Sequence, residues 1–299
     1  MKLYYSNHFV LPLPPGHRFP MEKYARLRDT LIASGLFGDE DFLIPPAASD
    51  IQIGRAHSAD YLARASSGTL SPEEMRCIGF PWSPEMIERS RRSSGATIEA
   101  ARAALRGACA VNLAGGTHHA HADFGSGFCV FNDAAIAARA MQAEEGIGQI
   151  AIVDCDVHQG DGTATILADD ASVFTFSMHG ARNFPFRKAH SDLDVELPDG
   201  TTDGAYLAAL ADALPRVFAA CRPQLVIYLA GADPFAGDRL GRLALTRDGL
   251  RQRDEYVLGM CRAHGVPVAI TMAGGYGHDI GDTVAIHAAT VMQAQALFG

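Results

Sequence analysis

The chain contains the run Ile150-Ala-Ile-Val-Asp154-Cys-Asp156-Val-His158, and the glycine-rich turn Gln159-Gly-Asp-Gly-Thr163 follows it. The apolar part of this run predicts a buried β-strand. Residues two apart on a strand point to the same face, so Asp154, Asp156 and His158 are expected to lie side by side. A carboxylate and an imidazole together at the carboxyl end of a strand form half of a site for a borderline metal. The run therefore predicts a strand that leads into a metal site.

Along the rest of the chain, short apolar runs alternate with longer amphipathic stretches, without internal repeats or low-complexity linkers. The pattern predicts strands at residues 2–5, 42–44, 110–113, 149–156, 172–177, 224–230 and 266–272. It predicts helices at residues 21–34, 59–65, 84–106, 131–145, 160–167, 203–219, 247–264 and about 279–297. Nearly continuous hydrophobic strands separated by helices indicate an α/β fold with a parallel sheet covered on both faces. In such sheets, sites form at the carboxyl ends of the strands.

The composition restricts the class of protein. Of the 299 residues, 48% are hydrophobic, which is enough for one large domain or two smaller ones. The net charge of −9 argues against direct binding to nucleic acid or acidic membranes. The six cysteines form no CxxC pair and are expected to be free, mostly buried thiols of a reducing compartment. Without a long apolar N-terminal segment or a membrane-spanning run, a cytoplasmic protein is expected.

Three other predicted strands also end in residues that could carry chemistry. His118 and His119 follow the strand at 110–113, and they could be metal ligands, acid–base groups or surface residues. Asp233 follows the strand at 224–230, either as a turn or cap residue or as a third metal ligand. Tyr276 follows the last strand, either as a packing ring or as a hydrogen-bond donor to a substrate carbonyl.

Other features of the sequence narrow the chemistry. Asp154 and Asp161 could fix the second nitrogens of the two histidines, although Asp161 could also be only a turn former. The glycines fit neither nucleotide-binding spacing, and no GxSxG elbow is present, which removes the usual serine-hydrolase route. Arg89, Arg91 and Arg92 are expected to form the solvated face of a helix.

Several ordered motifs together resemble one family, the zinc-dependent histone deacetylases and their bacterial relatives. The matching segments are Gly115-Gly-Thr-His-His-Ala120, Gly127-Phe-Cys-Val-Phe-Asn-Asp133, Asp154-Cys-Asp-Val-His-Gln-Gly-Asp-Gly-Thr163, Gly231-Ala-Asp-Pro234 and Gly274-Gly-Tyr-Gly277. The resemblance covers almost the whole chain and implies a single catalytic domain over residues 1–299. The implied fold is the arginase/deacetylase fold, a three-layer α/β/α domain around a parallel sheet of about eight strands.

The resemblance also implies a role for each matching residue. Asp156, His158 and Asp233 resemble the ligands of zinc, or of ferrous iron in the cell. His119 resembles the general base that becomes the general acid, and His118 resembles its electrostatic partner. Asp161 would orient His119 and Asp154 would orient His118, while Tyr276 resembles the phenol that polarises the carbonyl. The implied lining of the acyl-lysine tunnel is Gly127, Phe128, Phe184 and Leu240. The implied inner potassium site is formed by Asp154, the main chain at Asp156 and His158, Ser177 and Met178.

One position departs from the pattern of many family members. Gln159 occupies the place of a second histidine after the metal histidine. Together with Gly237-Asp-Arg-Leu-Gly241, it resembles the class IV branch more than class I or II, so longer acyl groups are also expected as substrates. Leu240 falls where relatives that prefer acetylpolyamines carry a gatekeeping glutamate. A leucine at this position weakens the prediction of an acetylpolyamine substrate without excluding it.

The expected activity is hydrolysis of an acyl group from a lysine side chain of a protein or peptide. An enzyme acting on small acylated amines, including polyamines, is an alternative with the same site. A manganese ureohydrolase is a weaker alternative, because it would need a second metal. A non-catalytic acyl-lysine binding module is a further alternative, but such a module would have lost a ligand, the base or the tyrosine.

Overall fold

The fold is built on one sheet of eight parallel strands, described here from a computed structural model that covers residues 1–299. The strands are β1 (Lys2–Tyr4), β2 (Phe42–Leu43), β3 (Cys109–Asn112), β4 (Ile150–Asp154), β5 (Val173–Gly180), β6 (Leu193–Leu197), β7 (Leu225–Leu229) and β8 (Val268–Thr271). Their order in the sheet is β2-β1-β3-β8-β7-β4-β5-β6, and every pair is parallel. The predicted α/β/α architecture with about eight strands is confirmed.

Ten α-helices connect the strands and cover the sheet. They are α1 (Glu22–Ala33), α2 (Asp50–Ile53), α3 (Ala59–Ser67), α4 (Pro72–Ile78), α5 (Pro84–Gly107), α6 (Asp133–Glu145), α7 (Asp161–Leu167), α8 (Asp203–Cys221), α9 (Arg247–Ala263) and α10 (Ile280–Phe298). Alternate residues of β4 enter two different hydrophobic cores: Ala151 and Val153 face one, and Ile150 and Ile152 face the other. This two-residue period produces a sheet that is buried on both faces.

The structure corrects three expectations about elements. The sequence analysis predicts no strand at β6, an edge strand of alternating apolar and acidic residues in which only Leu197 is buried. Helices α2 and α4 are also absent from it, although Ser71 and Pro72 give α4 a capping box and a first-turn proline. The strand predicted at 149–156 ends at Asp154.

Arg89 is also placed differently from the expectation of a solvated face. Its side chain is buried, and Nη1 donates to the carbonyl oxygens of Ser6 (3.2 Å) and Phe9 (3.0 Å). The guanidinium therefore ties the loop after β1 to helix α5 rather than covering the surface. The six cysteines are free, and all except Cys77 are buried.

One helix, α8, is long and apolar enough to cross a membrane when length and composition alone are considered. The sequence analysis predicts no such segment. Length and composition are weak evidence, since a core helix passes the same test. Here Tyr206, Leu210 and Leu214 of α8 are fully buried in the core on one face of the sheet.

The connectivity places four loops together at the carboxyl edge of the sheet. Strands β3, β8, β7 and β4 are consecutive neighbours in the middle of the sheet. Because they are parallel, the loops that follow them all leave at the same edge. These are the loops that carry the predicted histidine pair, Tyr276, Asp233 and the Asp156/His158 pair.

Candidate active site

Asp156, His158 and Asp233 come together at this edge, with one possible ligand atom from each within 4.8 Å of the others. Nδ1 of His158 lies 3.0 Å from Oδ1 of Asp156 and 3.3 Å from Oδ2 of Asp233. Asp156 and His158 belong to the loop after β4, and Asp233 belongs to the loop after β7. The expectation that Asp154, Asp156 and His158 share one strand face is wrong. The amide of Asp156 donates to Oδ1 of Asp154 (3.0 Å) instead of to a neighbouring strand, so the chain turns there.

The three side chains fit a divalent metal. Oδ2 of Asp233 is fully buried and has no hydrogen-bond partner, which is costly for a carboxylate unless a cation neutralises it. The other oxygen accepts a hydrogen bond from the amide of Val157 (2.9 Å), and Oδ2 of Asp156 accepts one from the amide of Gly274 (2.7 Å). Two carboxylates and one imidazole are the donor set of a catalytic zinc-type site, in which three protein ligands leave a position open.

The electrostatics of the cluster point the same way. Burial and the neighbouring charge of Asp156 together raise the pKa of Asp233 to about 7. The carboxylates of Asp156 and Asp233 have ligand atoms within 4.8 Å of each other, so they repel each other when both are charged. A divalent cation between them would relieve that repulsion. Gly274 is needed beside them, because a Cβ at this position would collide with both carboxylates.

Next to the cluster lie two histidines, each held by its own aspartate. Nδ1 of His118 donates to Oδ2 of Asp154 (2.6 Å), and Nδ1 of His119 donates to Oδ1 of Asp161 (2.6 Å). The two rings are packed together, with centroids 4.2 Å apart. Asp161 begins helix α7, so its carboxylate has a fixed position under His119. Each dyad leaves Nε2 of its histidine as the nitrogen that can exchange a proton with a ligand.

The two dyads shift the pKa of their histidines in opposite directions. Burial alone would lower the pKa of His118, but the carboxylates of Asp154 and Asp156 outweigh it and raise the pKa to about 9. Burial and the nearby charge of His118 lower the pKa of His119 to about 4, against the opposing effect of its bond to Asp161. These opposite shifts favour a proton on His118 over one on His119, so His119 is the ring that is free to accept a proton.

Tyr276, in the loop after β8, lines the same cavity as the two histidines, Asp156 and His158. Its amide donates to Oδ2 of Asp238 (2.6 Å), and its ring packs against Phe128 and Phe19 at centroid distances of 6.0 and 6.3 Å. Burial raises the pKa of the phenol well above its usual value, so the hydroxyl keeps its proton and remains a hydrogen-bond donor.

A cavity of about 650 Å³ connects this group to the surface. The base of the cavity includes Asp156, His158, the two histidines of the dyads and Tyr276, and all four predicted tunnel residues line it: Gly127, Phe128, Phe184 and Leu240. The ring of Phe184 packs edge-on against that of His119, with centroids 4.9 Å apart. Gly127 has a left-handed φ of 54°, and a Cβ there would approach the ring of His119 to 2.6 Å. The cavity therefore has apolar walls and a polar base.

The residues predicted for an inner potassium site lie on and directly after the neighbouring strands β4 and β5. Asp154 and Ser177 are register partners on β4 and β5, and Met178 follows, fully buried. The hydroxyl of Ser177 lies 2.9 Å from Nδ1 of His179. The assignment of potassium to these groups stays a prediction.

The sequence analysis does not identify three residues that support the site. Asp238 holds the loop that precedes the tunnel residue Leu240, accepting from the amides of Leu240 (2.8 Å) and Tyr276 (2.6 Å). His121 bonds to the second oxygen of Asp161 (3.2 Å). Arg253 is fully buried, and its Nη1 donates to the carbonyl oxygens of Cys155 (3.2 Å) and Gly231 (2.6 Å). For Arg253, the only indication in the sequence is that it stands next to Asp254 in an otherwise amphipathic helix.

Comparison with known proteins agrees with this geometry. A family model described as histone deacetylase domain matches residues 17–292. A protein of Picosynechococcus sp., itself uncharacterized, is 46% identical over 284 residues, covering 95% of this chain and 94% of the relative. Histone deacetylase 2 of Arabidopsis thaliana is 32% identical over 269 residues, covering 87% of this chain and 70% of the relative. The chain belongs to the histone deacetylase domain family, and it is a hydrolase of that family.

Solved structures show the same fold. A histone deacetylase homologue from Aquifex aeolicus aligns over 98% of this chain and 83% of its own, with a TM-score of 0.85 and 23% identity. An acetylpolyamine aminohydrolase from Burkholderia pseudomallei aligns over 100% of both chains, with a TM-score of 0.79 and 22% identity. These identities support the fold alone, and relatives that carry different substrate names share it.

Proposed function

We propose that this protein is a zinc-dependent deacylase that removes acetyl or longer acyl groups from the ε-amino group of lysine in proteins or peptides. One observation carries the proposal: a three-ligand cluster, two histidine–aspartate dyads and a phenol meet at the base of a cavity with phenylalanine walls. An apolar channel of this kind accommodates the aliphatic stem of lysine and excludes water from the reacting amide.

Asp156, His158 and Asp233 would hold the metal, which is zinc or, in the cell, ferrous iron. When bound, such an ion lowers the pKa of water toward about 7 and polarises a carbonyl. Asp154, the main chain at Asp156 and His158, Ser177 and Met178 are proposed to hold a structural potassium ion. The absence of a second group of metal-binding side chains gives no support to the two-metal ureohydrolase alternative.

The protein side chains supply the proton transfers and the oxyanion contact. His119, with Nδ1 held by Asp161, accepts a proton at Nε2 from the attacking water as the bond between water oxygen and acyl carbon forms. Tyr276 donates a hydrogen bond to the carbonyl oxygen as negative charge develops there. His119 then delivers its proton to the lysine nitrogen as the carbon–nitrogen bond breaks, which yields a carboxylic acid and a free amine. Transfer of the remaining acid proton to the amine gives the carboxylate and ammonium products. His118, held by Asp154, would act as the electrostatic partner of His119 and stabilise the negative charge that develops on the reacting amide.

Gln159 supports the proposed placement in the class IV branch. Its side chain is buried and points away from the cavity, donating to the carbonyl of Ala189 (2.9 Å) and to Asp194 (2.9 Å). The position at which many family members carry a second histidine after the metal histidine therefore anchors the loop at residue 189 in this chain. We also propose a cytoplasmic location, consistent with six free cysteines.

The proposal is tested with purified protein that is stripped of metal and then reloaded with zinc or iron. Acetyl-lysine and longer acyl-lysine peptides should be hydrolysed only after reloading, with acetylpolyamines and other small acylated amines hydrolysed more slowly. Hydrolysis that continues in metal-free protein would contradict the metal assignment. A clear preference for acetylpolyamines would favour the small-amine alternative, and tight binding of acyl-lysine without turnover would favour a binding module.

A further inference from the structure

The entrance of the cavity is strongly basic, although the protein as a whole carries a net charge of −9. Four arginines that are exposed line it: Arg18, Arg76, Arg182 and Arg242. The only acidic side chain among the lining residues is Asp156, which belongs to the metal cluster at the base. The proposed chemistry does not use these arginines.

The four arginines come from separate segments that hydrogen bonds join into an arc. The ring of His17 bonds to the carbonyl of Gly79 (2.9 Å), which brings the segment with Arg18 next to the end of α4, where Arg76 lies. On the other side, Arg239 donates to the carbonyl of Arg18 (3.4 Å).

The arc then continues to the loop after β5. Nδ2 of Asn183 donates to the carbonyl of Leu240 (2.9 Å), and its Oδ1 accepts from the amide of Arg242 (3.2 Å). Arg182 precedes Asn183 directly, so it lies beside Arg242. Positive charge therefore reaches the entrance from four segments that these hydrogen bonds hold together.

Little acidic charge neutralises this arc. Asp199 is the one carboxylate that pairs with it, at 3.2 Å from Arg242 and 3.5 Å from Arg182. Arg18 and Arg76 have no carboxylate partner within ion-pair distance. Four guanidinium groups facing a single carboxylate leave a net positive entrance, which attracts anionic ligands and repels cationic ones.

We propose that the acyl-lysine substrate of this protein lies in an acidic peptide segment, with aspartate or glutamate residues on both sides of the modified lysine. This inference rests on the proposed deacylase activity and specifies its substrate. A peptide fits the arc better than a small anion does, because its flanking carboxylates are spread out and reach arginines from several segments at once. Phe186 beside the arc has a relative exposure of 86% and provides an apolar contact for the peptide. A polyamine would place positive charge against this rim.

The first experiment compares three peptides that carry the same acyl-lysine in acidic, neutral and basic flanking sequence. At low ionic strength, kcat/KM should be at least about tenfold higher for the acidic than for the basic peptide. The difference should shrink at 0.5 M salt, because salt screens charges that are exposed to solvent. Equal values for the two charged peptides, or a preference for the basic one, would overturn the inference. Failure to hydrolyse even the neutral peptide would instead contradict the deacylase activity.

The second experiment compares two exposed arginines that differ in position but have similar surroundings. Arg182 has a side-chain exposure of 75% and lies 3.5 Å from Asp199, while Arg216 on α8 has an exposure of 62% and lies 3.6 Å from Asp212. Arg182→Glu should reduce the preference for the acidic peptide about fivefold, the size expected for reversing one nearby charge in water. Arg216→Glu should leave it unchanged. Equal effects of the two substitutions would show that only net charge matters and would overturn the proposed contact.

Discussion

A single oxygen atom distinguishes Tyr276 from phenylalanine, and the structure assigns no folding role to that atom. The ring packs against Phe19 and Phe128, and the backbone is held by Asp238, so both would persist without the hydroxyl. What phenylalanine lacks is the proton that the phenol keeps under all ordinary conditions. The hydroxyl is therefore expected to act on the substrate carbonyl rather than on the fold.

We expect Tyr276→Phe to lower turnover of an acyl-lysine peptide by about 100- to 1000-fold, the usual cost of removing one oxyanion donor. Metal content and thermal unfolding temperature should stay at the parent values, because neither the metal ligands nor the packing is changed. The measurements are steady-state kinetics, metal analysis and calorimetry on the same preparation. A variant as fast as the parent would remove the phenol from the mechanism.

At the scale of elements, helix α9 forms hydrogen bonds to both of the loops that carry the metal ligands. Its buried Arg253 reaches the carbonyl of Cys155, one residue before Asp156, and that of Gly231, two residues before Asp233. The guanidinium is paired with Asp254 at 2.8 Å. One side chain therefore positions both loops through their main chains, and it does so without touching the metal ligands.

Arg253→Met should destabilise the protein by roughly 3–5 kcal/mol, because it leaves Asp254 buried without its cation and two carbonyls without a donor. Arg253→Lys keeps the charge but lacks the planar fork, so it should fold better while binding the metal about 10- to 100-fold more weakly. Urea unfolding and chelator competition measure the two effects. Arg251→Met, an exposed arginine on the same helix, is the control. Native metal affinity in Arg253→Lys would rule out the positioning role.

The elements also show how far local sequence determines structure. The central strands β4 and β7 could be predicted because they are apolar on both faces and have helices on either side. The same argument placed the candidate site at the carboxyl ends of strands. The end of β4 could not be predicted, because Asp156 bonds to the side chain of Asp154, and the sequence gives no sign of which partner an amide chooses. β6 was missed because an edge strand needs less burial.

Supporting residues were missed for a related reason. Arg253 binds the carbonyls of Cys155 and Gly231, and Asp238 also binds the distant amide of Tyr276. These long-range contacts exist only once the loops have assembled. Arg89 was expected to be solvated, since its neighbours Arg91 and Arg92 resemble a charged helix face, yet its partners are carbonyls in the loop after β1. Long-range contacts between side chains and the main chain leave little trace in local patterns.

At the scale of the whole molecule, the fold buries several histidines that no acid neutralises. His57 is one of them: it has no carboxylate partner, its ring packs against Tyr61 and Phe131, and its Nε2 accepts a hydrogen bond from the amide of Asn132 (2.9 Å). Burial lowers the pKa of His57 to about 4. The native state thus stabilises the neutral ring, and folding is linked to pH through this group.

In the unfolded chain His57 regains its ordinary pKa near 6.5, so as pH falls the unfolded state binds the proton first. The stability contributed by the neutral ring is complete above about pH 7 and is lost progressively as pH falls from 6.5 toward 4, by about 2 kcal/mol at pH 5. His57→Gln retains an acceptor for the amide of Asn132 but cannot titrate. Its unfolding free energy, measured in urea at pH 7 and pH 5, should therefore fall by about 2 kcal/mol less between the two pH values than that of the parent. An identical loss in both proteins would mean that His57 takes up its proton in the folded state as readily as in the unfolded chain.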